Sequence, residues 1–211
     1  TSTHITLILD RSGSMSDIRD DIIGGVNAFI ADQRATEHPI TATLVQFDGK
    51  DPFEVIAENV TLDKIPTLTS AIYQPRGNTP LLDAIGLGIR SLTNHLDGLK
   101  AKAKPADIVF VIVTDGQENS SKEFSRGHIT DLIKAKEAAG WKFIFLSSDL
   151  TAVREARDLD IPSFRSAQFD KSNTRASFSR MSDKIAEFNI SKEEASLDFT
   201  DADRDIFESK K

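Results

Sequence analysis

The chain has 211 residues, a formal net charge of −7 at pH 7 and 39% hydrophobic residues, a composition typical of one globular domain with a full core. It contains no cysteine, which excludes disulfides and sulfur-ligated metals. The acidic balance argues against general binding to nucleic acid or to an anionic membrane, because both need a basic patch.

The sequence carries no membrane or secretion signal. Its apolar runs fall well short of the ~20 residues that cross a bilayer. No basic segment followed by an apolar one stands near the start of the chain. We therefore expect a cytoplasmic protein.

Strands and helices alternate from the start of the chain. An apolar run at residues 5–9 predicts a buried strand, and apolar side chains at helical spacing predict a helix over residues 17–37. Two apolar, β-branched segments, 41–47 and 53–60, flank a turn signal at 48–51. So short a connection predicts a hairpin, which places one antiparallel strand in the sheet.

The middle of the chain continues the alternation. A helix is predicted over residues 81–99, with Asn78 or Thr79 as its N-cap and Pro80 just inside. Residues 107–113 form a nearly continuous apolar run, which is typical of a central parallel strand covered on both faces. The next predicted helix begins near Ile129 and stops at Gly140.

The last third predicts a strand over 141–146, a helix over 150–159, a short edge strand at 163–165 and an amphipathic helix over 178–188. We assign residues 1–190 to one domain and residues 191–211 to a loosely attached acidic tail. The alternation predicts a doubly wound α/β fold. Its open sheet is mostly parallel, with one antiparallel edge-side strand and helices on both faces.

Oxygen-bearing side chains stand at three points that such a fold brings to one edge of its sheet. Asp10, Ser12 and Ser14 occupy alternate positions after the first strand. Asp115 follows the central strand directly, and Thr79 precedes the helix that leads into that strand. Ligands of open α/β sheets bind at this edge. Taken singly, these residues are ordinary loop caps, but together they favour a site for a hard divalent cation such as Mg²⁺, Mn²⁺ or Ca²⁺.

The three elements resemble the metal-ion-dependent adhesion site of von Willebrand factor type A domains. Their order and their strand and loop contexts match, and the resemblance covers roughly residues 3–190. It implies the Rossmann-like fold of that family. The residues that carry it are Asp10-x-Ser12-x-Ser14, Thr79 within Gly77-Asn78-Thr79-Pro80-Leu81, and Asp115 within Val113-Thr114-Asp115-Gly116.

The resemblance also implies a ligand set and a function. Ser12, Ser14 and Thr79 would be direct or switchable metal ligands, and Asp10 and Asp115 would hold the ion directly or through water. A partner protein would complete the coordination of Mg²⁺ (or Mn²⁺ or Ca²⁺) with an Asp or Glu side chain, so the chain would be a divalent-metal-dependent protein-binding module. The sequence names no partner and predicts no oligomeric state.

Two alternatives stay open. One is a metal-dependent hydrolase of the phosphatase type, although aspartyl phosphatases of similar topology need a second Asp where this chain has Ser12. The other is a structural or assembly subunit that a metal only stabilises. No pattern of catalytic base and nucleophile is found, so we predict that the chain is not an enzyme.

Several residues near these loops are weaker candidates. Asp83 is either a hydrogen-bonding support for the site or an ordinary first-turn acid of its helix. Arg11 and Arg76 either flank an incoming carboxylate or are solvated loop arginines. Glu118 adds negative potential or is an exposed loop acid, and His128 is the histidine best placed for a general base.

Overall fold

A computed structural model describes residues 2–208, apart from the side chain of Ala152. At its centre is a six-stranded sheet. Its strands are β1 (Thr3–Asp10), β2 (Ile40–Phe47), β3 (Glu54–Thr61), β4 (Asp107–Thr114), β5 (Trp141–Ser147) and β6 (Ser166–Gln168). They lie side by side in the order β3-β2-β1-β4-β5-β6.

The sheet has the predicted topology. All neighbouring strands run parallel except β2 and β3, which form the antiparallel hairpin at one edge. The long apolar runs of β1 and β4 lie next to each other in the middle of the sheet, and nearly all of their residues are buried. The structure confirms the doubly wound α/β fold.

Helices cover both faces of the sheet. They are α1 (Arg19–Ala35), α2 (Leu81–Gly98), α3 (Arg126–Ala138), α4 (Leu150–Asp158), α5 (Thr174–Ser191) and α6 (Asp201–Glu208). One apolar core joins α1 and α5 to residues such as Leu7 and Leu9 of β1, and a second joins α2 and α3 to Ile8 of β1 and Phe110 of β4. No helix within residues 2–208 combines the length and the apolar character needed to cross a membrane.

Two predicted elements shift along the chain. Residues Gly13–Ile18 form a 3₁₀ turn, so α1 begins at Arg19 and not at residue 17. The edge strand expected at residues 163–165 is a 3₁₀ turn there, and β6 follows it directly. Both shifts lie where one element joins the next, and local residue preferences fix such boundaries only weakly.

The chain after α5 packs closely against the domain, which differs from the loose attachment expected of residues 191–208. Leu197, Phe199 and Phe207 are buried in the same core as α1 and α5. The three apolar residues have irregular spacing, so no helical or strand period marked them as core positions. Residues 209–211, which were assigned to the same tail, lie outside the described part of the chain.

A buried ion pair adds to this attachment. The Asp203 carboxylate of α6 contacts Arg180 and Lys184 of α5, the latter at 3.1 Å. Burial alone would raise the pKa of Asp203, but hydrogen bonds from Thr200, Arg180 and Lys184 keep this pKa well below its usual range. The segment 192–208 is therefore held by charge as well as by apolar packing.

The packing of α6 predicts an effect on stability. We expect Phe207→Ala to lower the free energy of unfolding by about 3–5 kcal/mol, because it empties a fully buried aromatic site. Ile206 is 42% exposed, so Ile206→Ala should change this free energy by no more than about 1 kcal/mol. Urea unfolding of the two variants measures the difference. Equal and small effects would show that α6 is only loosely attached.

Candidate metal centre

The carboxyl ends of β1 and β4 bring the first and third motifs together. The two strands are parallel neighbours in which Leu9 pairs with Val113, so Asp10 lies beside Thr114, the last residue of β4, and the turn that begins at Asp115. Across this junction the Thr114 hydroxyl donates a hydrogen bond of 2.5 Å to Asp10 Oδ2. Strand pairing itself therefore places the two predicted carboxylates at one edge of the sheet.

Hydrogen bonds join the serines of the first loop to both carboxylates. Ser14 Oγ donates to Asp115 Oδ1 at 2.6 Å, and the hydroxyl oxygens of Ser12 and Ser14 lie 3.1 Å apart. The backbone N–H of Ser12 donates to Asp10 Oδ1 at 2.6 Å. Four of the five predicted side chains thus form one cluster of oxygen atoms.

Thr79 borders the same cluster from the loop before α2. A Cβ atom placed on Gly116 would lie 3.4 Å from Thr79 Oγ1 and 3.7 Å from Ser14 Oγ, so both hydroxyls flank this glycine. The backbone of Thr79 is held on both sides by Asn119. The side-chain amide of Asn119 accepts from Thr79 N at 2.8 Å, and Asn119 N donates to Thr79 O at 3.1 Å. The structure brings all five predicted residues to one edge of the sheet.

The hydroxyl of Thr79 does not cap α2, and that prediction is wrong. The helix starts at Leu81 after Pro80, and neither Thr79 nor Asn78 supplies a side-chain cap. A carboxylate oxygen of Glu118 instead accepts from the N–H of Leu82 at 2.9 Å. Because Glu118 accepts this hydrogen bond at the start of α2, the Thr79 hydroxyl is not used as a helix cap and is available to the oxygen cluster.

The electrostatics of Asp10 differ from those of an ordinary aspartate. Its side chain is buried, and this burial raises the pKa of its carboxyl to about 6. Hydrogen bonds from Thr114 and Ser12 act in the opposite direction, and the nearby charge of Asp115 raises the pKa further. An ionised Asp10 therefore carries a charge that neutral donors compensate only in part. A bound cation would compensate it.

Asp115 forms an ion pair with Lys171. One of its oxygens accepts from Ser14, and the other lies 3.5 Å from Lys171 Nζ. The Asp115 side chain is 1% exposed and that of Lys171 is 44% exposed, so the lysine approaches from the solvent side. Lys171 begins the 3₁₀ turn Lys171–Asn173 between β6 and α5.

Backbone hydrogen bonds fix the loop after β1 against the loop before α2. Gly13 N donates to Gly77 O at 3.0 Å, and Arg76 N donates to Arg11 O at 2.8 Å. Gly77 has a φ of +67°, a left-handed conformation that glycine adopts at little cost. These bonds keep the hydroxyls of the first loop next to Thr79.

Arg11 and Arg76 bind Asp48 instead of flanking the cluster. Arg11 Nη2 and Arg76 Nε lie 2.7 and 2.9 Å from the same oxygen of Asp48, and Arg11 also pairs with Glu54 at 2.5 Å. Burial alone would raise the pKa of Asp48, but its N–H donors and the two arginines lower it. Both arginines therefore stabilise the loops around the site.

Two other candidates have structural roles. The Asp83 carboxylate accepts hydrogen bonds of 2.8–2.9 Å from the N–H groups of Lys122, Glu123 and Phe124, so it shapes the loop after β4. The His128 ring packs 5.2 Å from that of Phe124, in a cleft between α2 and α3. Neither side chain contacts the oxygen cluster.

Sequence reasoning missed four residues that organise the site. Thr114 could have been found, because the last residue of β4 must lie next to Asp10 once the two strands are paired. Asn119 and Lys171 gave no such signal, since they reach the site from loops whose course local periodicity does not encode. Tyr73 was also missed, although its buried hydroxyl donates to the backbone carbonyl of Asp10 at 2.5 Å.

The donor set fits a hard divalent cation. It combines two carboxylates with three hydroxyls, and Mg²⁺ is typically bound by one or two carboxylates together with neutral oxygens and water. Within the described residues, no group of three or more His, Cys, Asp or Glu side chains is arranged to hold a metal.

Comparison with solved structures identifies the fold. The vWF domain of the pilus tip protein Mfa5 from Porphyromonas gingivalis superposes with a TM-score of 0.64 at 11% identity, over 88% of this chain and 95% of that one. Manganese-loaded TRAP from Plasmodium vivax superposes with a TM-score of 0.58 at 14% identity, over 83% of this chain and 71% of that one. Proximal thread matrix protein 1 from the mussel byssus was solved with zinc in its metal-ion-dependent adhesion site (MIDAS) motif. It superposes with a TM-score of 0.63 at 12% identity, over 85% of this chain and 46% of that one.

These likenesses show that the chain has the fold of von Willebrand factor type A domains. At such low identities they show the fold alone. The chain spans less than half of the mussel protein's solved chain. No protein-family model matches the sequence, and no curated protein matches it significantly.

The raised pKa of Asp10 predicts a pH effect in protein freed of metal with a chelator. Between pH 3.8 and about 6 the folded state holds the Asp10 proton while the unfolded chain releases it. The free energy of unfolding therefore falls as pH rises through this window, by about 3 kcal/mol in all. Urea unfolding at several pH values gives the free energy of unfolding of wild type and of Asp10→Asn. We expect the wild-type value minus the Asp10→Asn value to fall as the pH rises from 3.8 to about 6.

The comparison with Asp10→Asn is needed because His4 acts in the opposite sense. Burial lowers the pKa of His4 to about 4, with a smaller contribution from the charge of His95. Stability linked to His4 consequently rises with pH over the same range. Both proteins keep His4, so it cancels in the difference. A difference that does not change with pH would contradict the raised pKa of Asp10.

Proposed function

We propose that this chain is a divalent-metal-dependent protein-binding module. In this proposal the metal is held by Asp10, Ser12, Ser14, Thr79 and Asp115, and an Asp or Glu side chain of a partner protein completes its coordination. The observation that carries the proposal is the meeting of these five side chains, from three separate loops, at the carboxyl edge of a von Willebrand factor type A fold.

The chemistry of the donors supports the choice of ion. Carboxylate and hydroxyl oxygens favour Mg²⁺, with Mn²⁺ or Ca²⁺ as alternatives, over softer metals. One protein of the same fold has been solved loaded with manganese and another with zinc in its metal-ion-dependent adhesion site, which supports binding of a divalent ion. We rank Mg²⁺ and Mn²⁺ above zinc because this chain offers the site neither imidazole nor thiolate.

The charge balance supports an acidic partner. Two carboxylates at most neutralise a divalent ion, and the Lys171 ammonium group adds a further positive charge at the rim of the site, whether or not it stays paired with Asp115. The solvent side of a metal-loaded site would therefore carry positive charge. A foreign carboxylate is the ligand that such an ion attracts most strongly.

A binding role is favoured over an enzymatic one. Both oxygens of Asp10 accept hydrogen bonds inside the protein, which holds the carboxylate in place as a ligand would need. His128, the histidine considered as a general base, lies in the cleft between α2 and α3 and not at the oxygen cluster. The three compared proteins are named as a pilus tip protein, a matrix protein and TRAP, and none of these is the name of an enzyme. A cytoplasmic location remains part of the proposal.

Metal binding gives the direct test. We expect wild type to bind Mg²⁺ or Mn²⁺ and Asp10→Ala to bind at least about tenfold more weakly, because one of two carboxylates is lost. Asp107→Ala is the matched control, since Asp107 begins β4 at the opposite edge of the sheet and should leave affinity unchanged. Isothermal titration calorimetry measures all three proteins. Equal affinities for wild type and Asp10→Ala would contradict the proposed site.

Partner binding tests the second half of the proposal. Immobilised wild-type chain should retain a partner from cell extract in the presence of Mg²⁺ and release it on addition of a chelator. Thr79→Ala should retain less of that partner, while Asp107→Ala should retain as much as wild type. A partner that stays bound in chelator and on Thr79→Ala would instead indicate a structural or assembly subunit.

A further inference from the structure

One basic side chain faces the proposed metal site from the rim. Lys171 Nζ lies 3.5 Å from Asp115 Oδ2, on the side of the carboxylate that Ser14 does not occupy. Within residues 2–208, Lys171 forms its ion pair with Asp115. The lysine therefore acts on the site that holds Ser14 and Asp115, and not on a separate surface cluster.

The position of Lys171 is set by the protein around it. Its turn is closed by Asp170, whose carboxylate accepts from the N–H of Ser172 at 2.8 Å, and by Thr174, whose hydroxyl donates to the carbonyl of Lys171 at 2.8 Å. The Lys171 side chain is 44% exposed, so its ammonium group can turn toward solvent while these hydrogen bonds keep the backbone in place.

The C-terminal segment holds this turn in place. The carbonyl oxygen of Phe207 in α6 accepts from Asp170 N at 2.8 Å and from Asn173 Nδ2 at 3.4 Å. The ring of Phe207 is buried and packs edge-on against Phe199, with ring centres 5.1 Å apart. The segment 192–208 thus supports the backbone on either side of Lys171.

Placing a divalent ion among these oxygens changes the surroundings of the lysine. The ion and the ammonium group would both be drawn to Asp115, and they would repel each other over a distance of a few ångströms. Such repulsion is only partly screened, because it is shorter than the Debye length at physiological salt. Lys171 must move away, or the ion must bind more weakly.

We propose that Lys171 is a tethered counter-ion of Asp115 that competes with the metal and lowers its affinity. The inference rests on the proposed function, since it assigns the metal to the cluster that contains Asp115. In the metal-free protein Lys171 neutralises Asp115 and stabilises the loop. When a metal binds, the ammonium group is displaced toward solvent while its backbone stays anchored by the C-terminal segment.

The test compares two lysines that pair with opposite ends of β4. Lys171→Gln removes the charge beside Asp115, and Lys192→Gln removes the charge beside Asp107, which it contacts at 2.8 Å. Both variants change the net charge equally. Lys171→Arg keeps the charge and is the conservative variant.

Calorimetric titration with Mn²⁺ in low salt is the measurement. We expect Lys171→Gln to bind about tenfold more tightly than wild type, and this gain to shrink as salt is raised. Lys192→Gln and Lys171→Arg should bind within about twofold of wild type. Without metal, Lys171→Gln should have a lower melting temperature than wild type, and saturating Mn²⁺ should remove the difference.

The outcomes separate this inference from the proposed function. If wild type binds Mn²⁺ through Asp10 but Lys171→Gln binds equally or more weakly, the competition is refuted and the metal site stands. If neither wild type nor Lys171→Gln binds Mn²⁺, both proposals fail. Binding that appears only in Lys171→Gln and is lost again in Lys171→Gln/Asp10→Ala would support both.

Discussion

The parallel pairing of β1 with β4 is the constraint on which the rest of this structure depends. It places Asp10 beside the turn after β4, where the buried Thr114 hydroxyl donates to the Asp10 carboxylate. The pairing is fixed by apolar side chains that fill the cores on both faces of the sheet, and a shift by one residue would exchange those faces. The burial of the two central strands therefore sets the positions of Asp10 and of the turn that carries Asp115, while contacts between loops place the hydroxyls of Ser12, Ser14 and Thr79 beside them.

Asp10, Asp48 and Asp115, all buried at this edge of the sheet, are compensated in different ways. Asp48 is paired with two arginines, which lower its pKa, and it stabilises the loops. Asp115 has one serine and one lysine. Asp10 is held by neutral donors, and its pKa is raised to about 6. Of these three carboxylates, Asp48 and Asp115 form ion pairs with basic side chains of residues 2–208, whereas Asp10 is held by neutral donors.

Much of this arrangement could be predicted from the sequence, for definite physical reasons. Alternating strands and helices predicted the sheet, and the rule that ligands meet the carboxyl edge predicted that Asp10, Thr79 and Asp115 converge. The role of Thr79 as a helix cap was wrong, because Glu118 approaches α2 from a distant loop. The packing of residues 192–208 was missed because its buried residues have no regular spacing. Contacts between loops distant in sequence leave no local pattern.

The same contacts support the proposed binding role over a role in proton transfer. Each oxygen of Asp10 accepts one hydrogen bond inside the protein, which fixes the carboxylate in place and leaves a second lone pair on each oxygen for a cation. The hydroxyl of Ser14 already donates to Asp115, which has no imidazole partner that would make the serine a nucleophile. Each of these bonds instead fixes an oxygen atom in place. Under the proposed function, these fixed hard oxygens and the partly compensated charge of Asp10 would hold a cation, and the cation would bind the carboxylate of another protein.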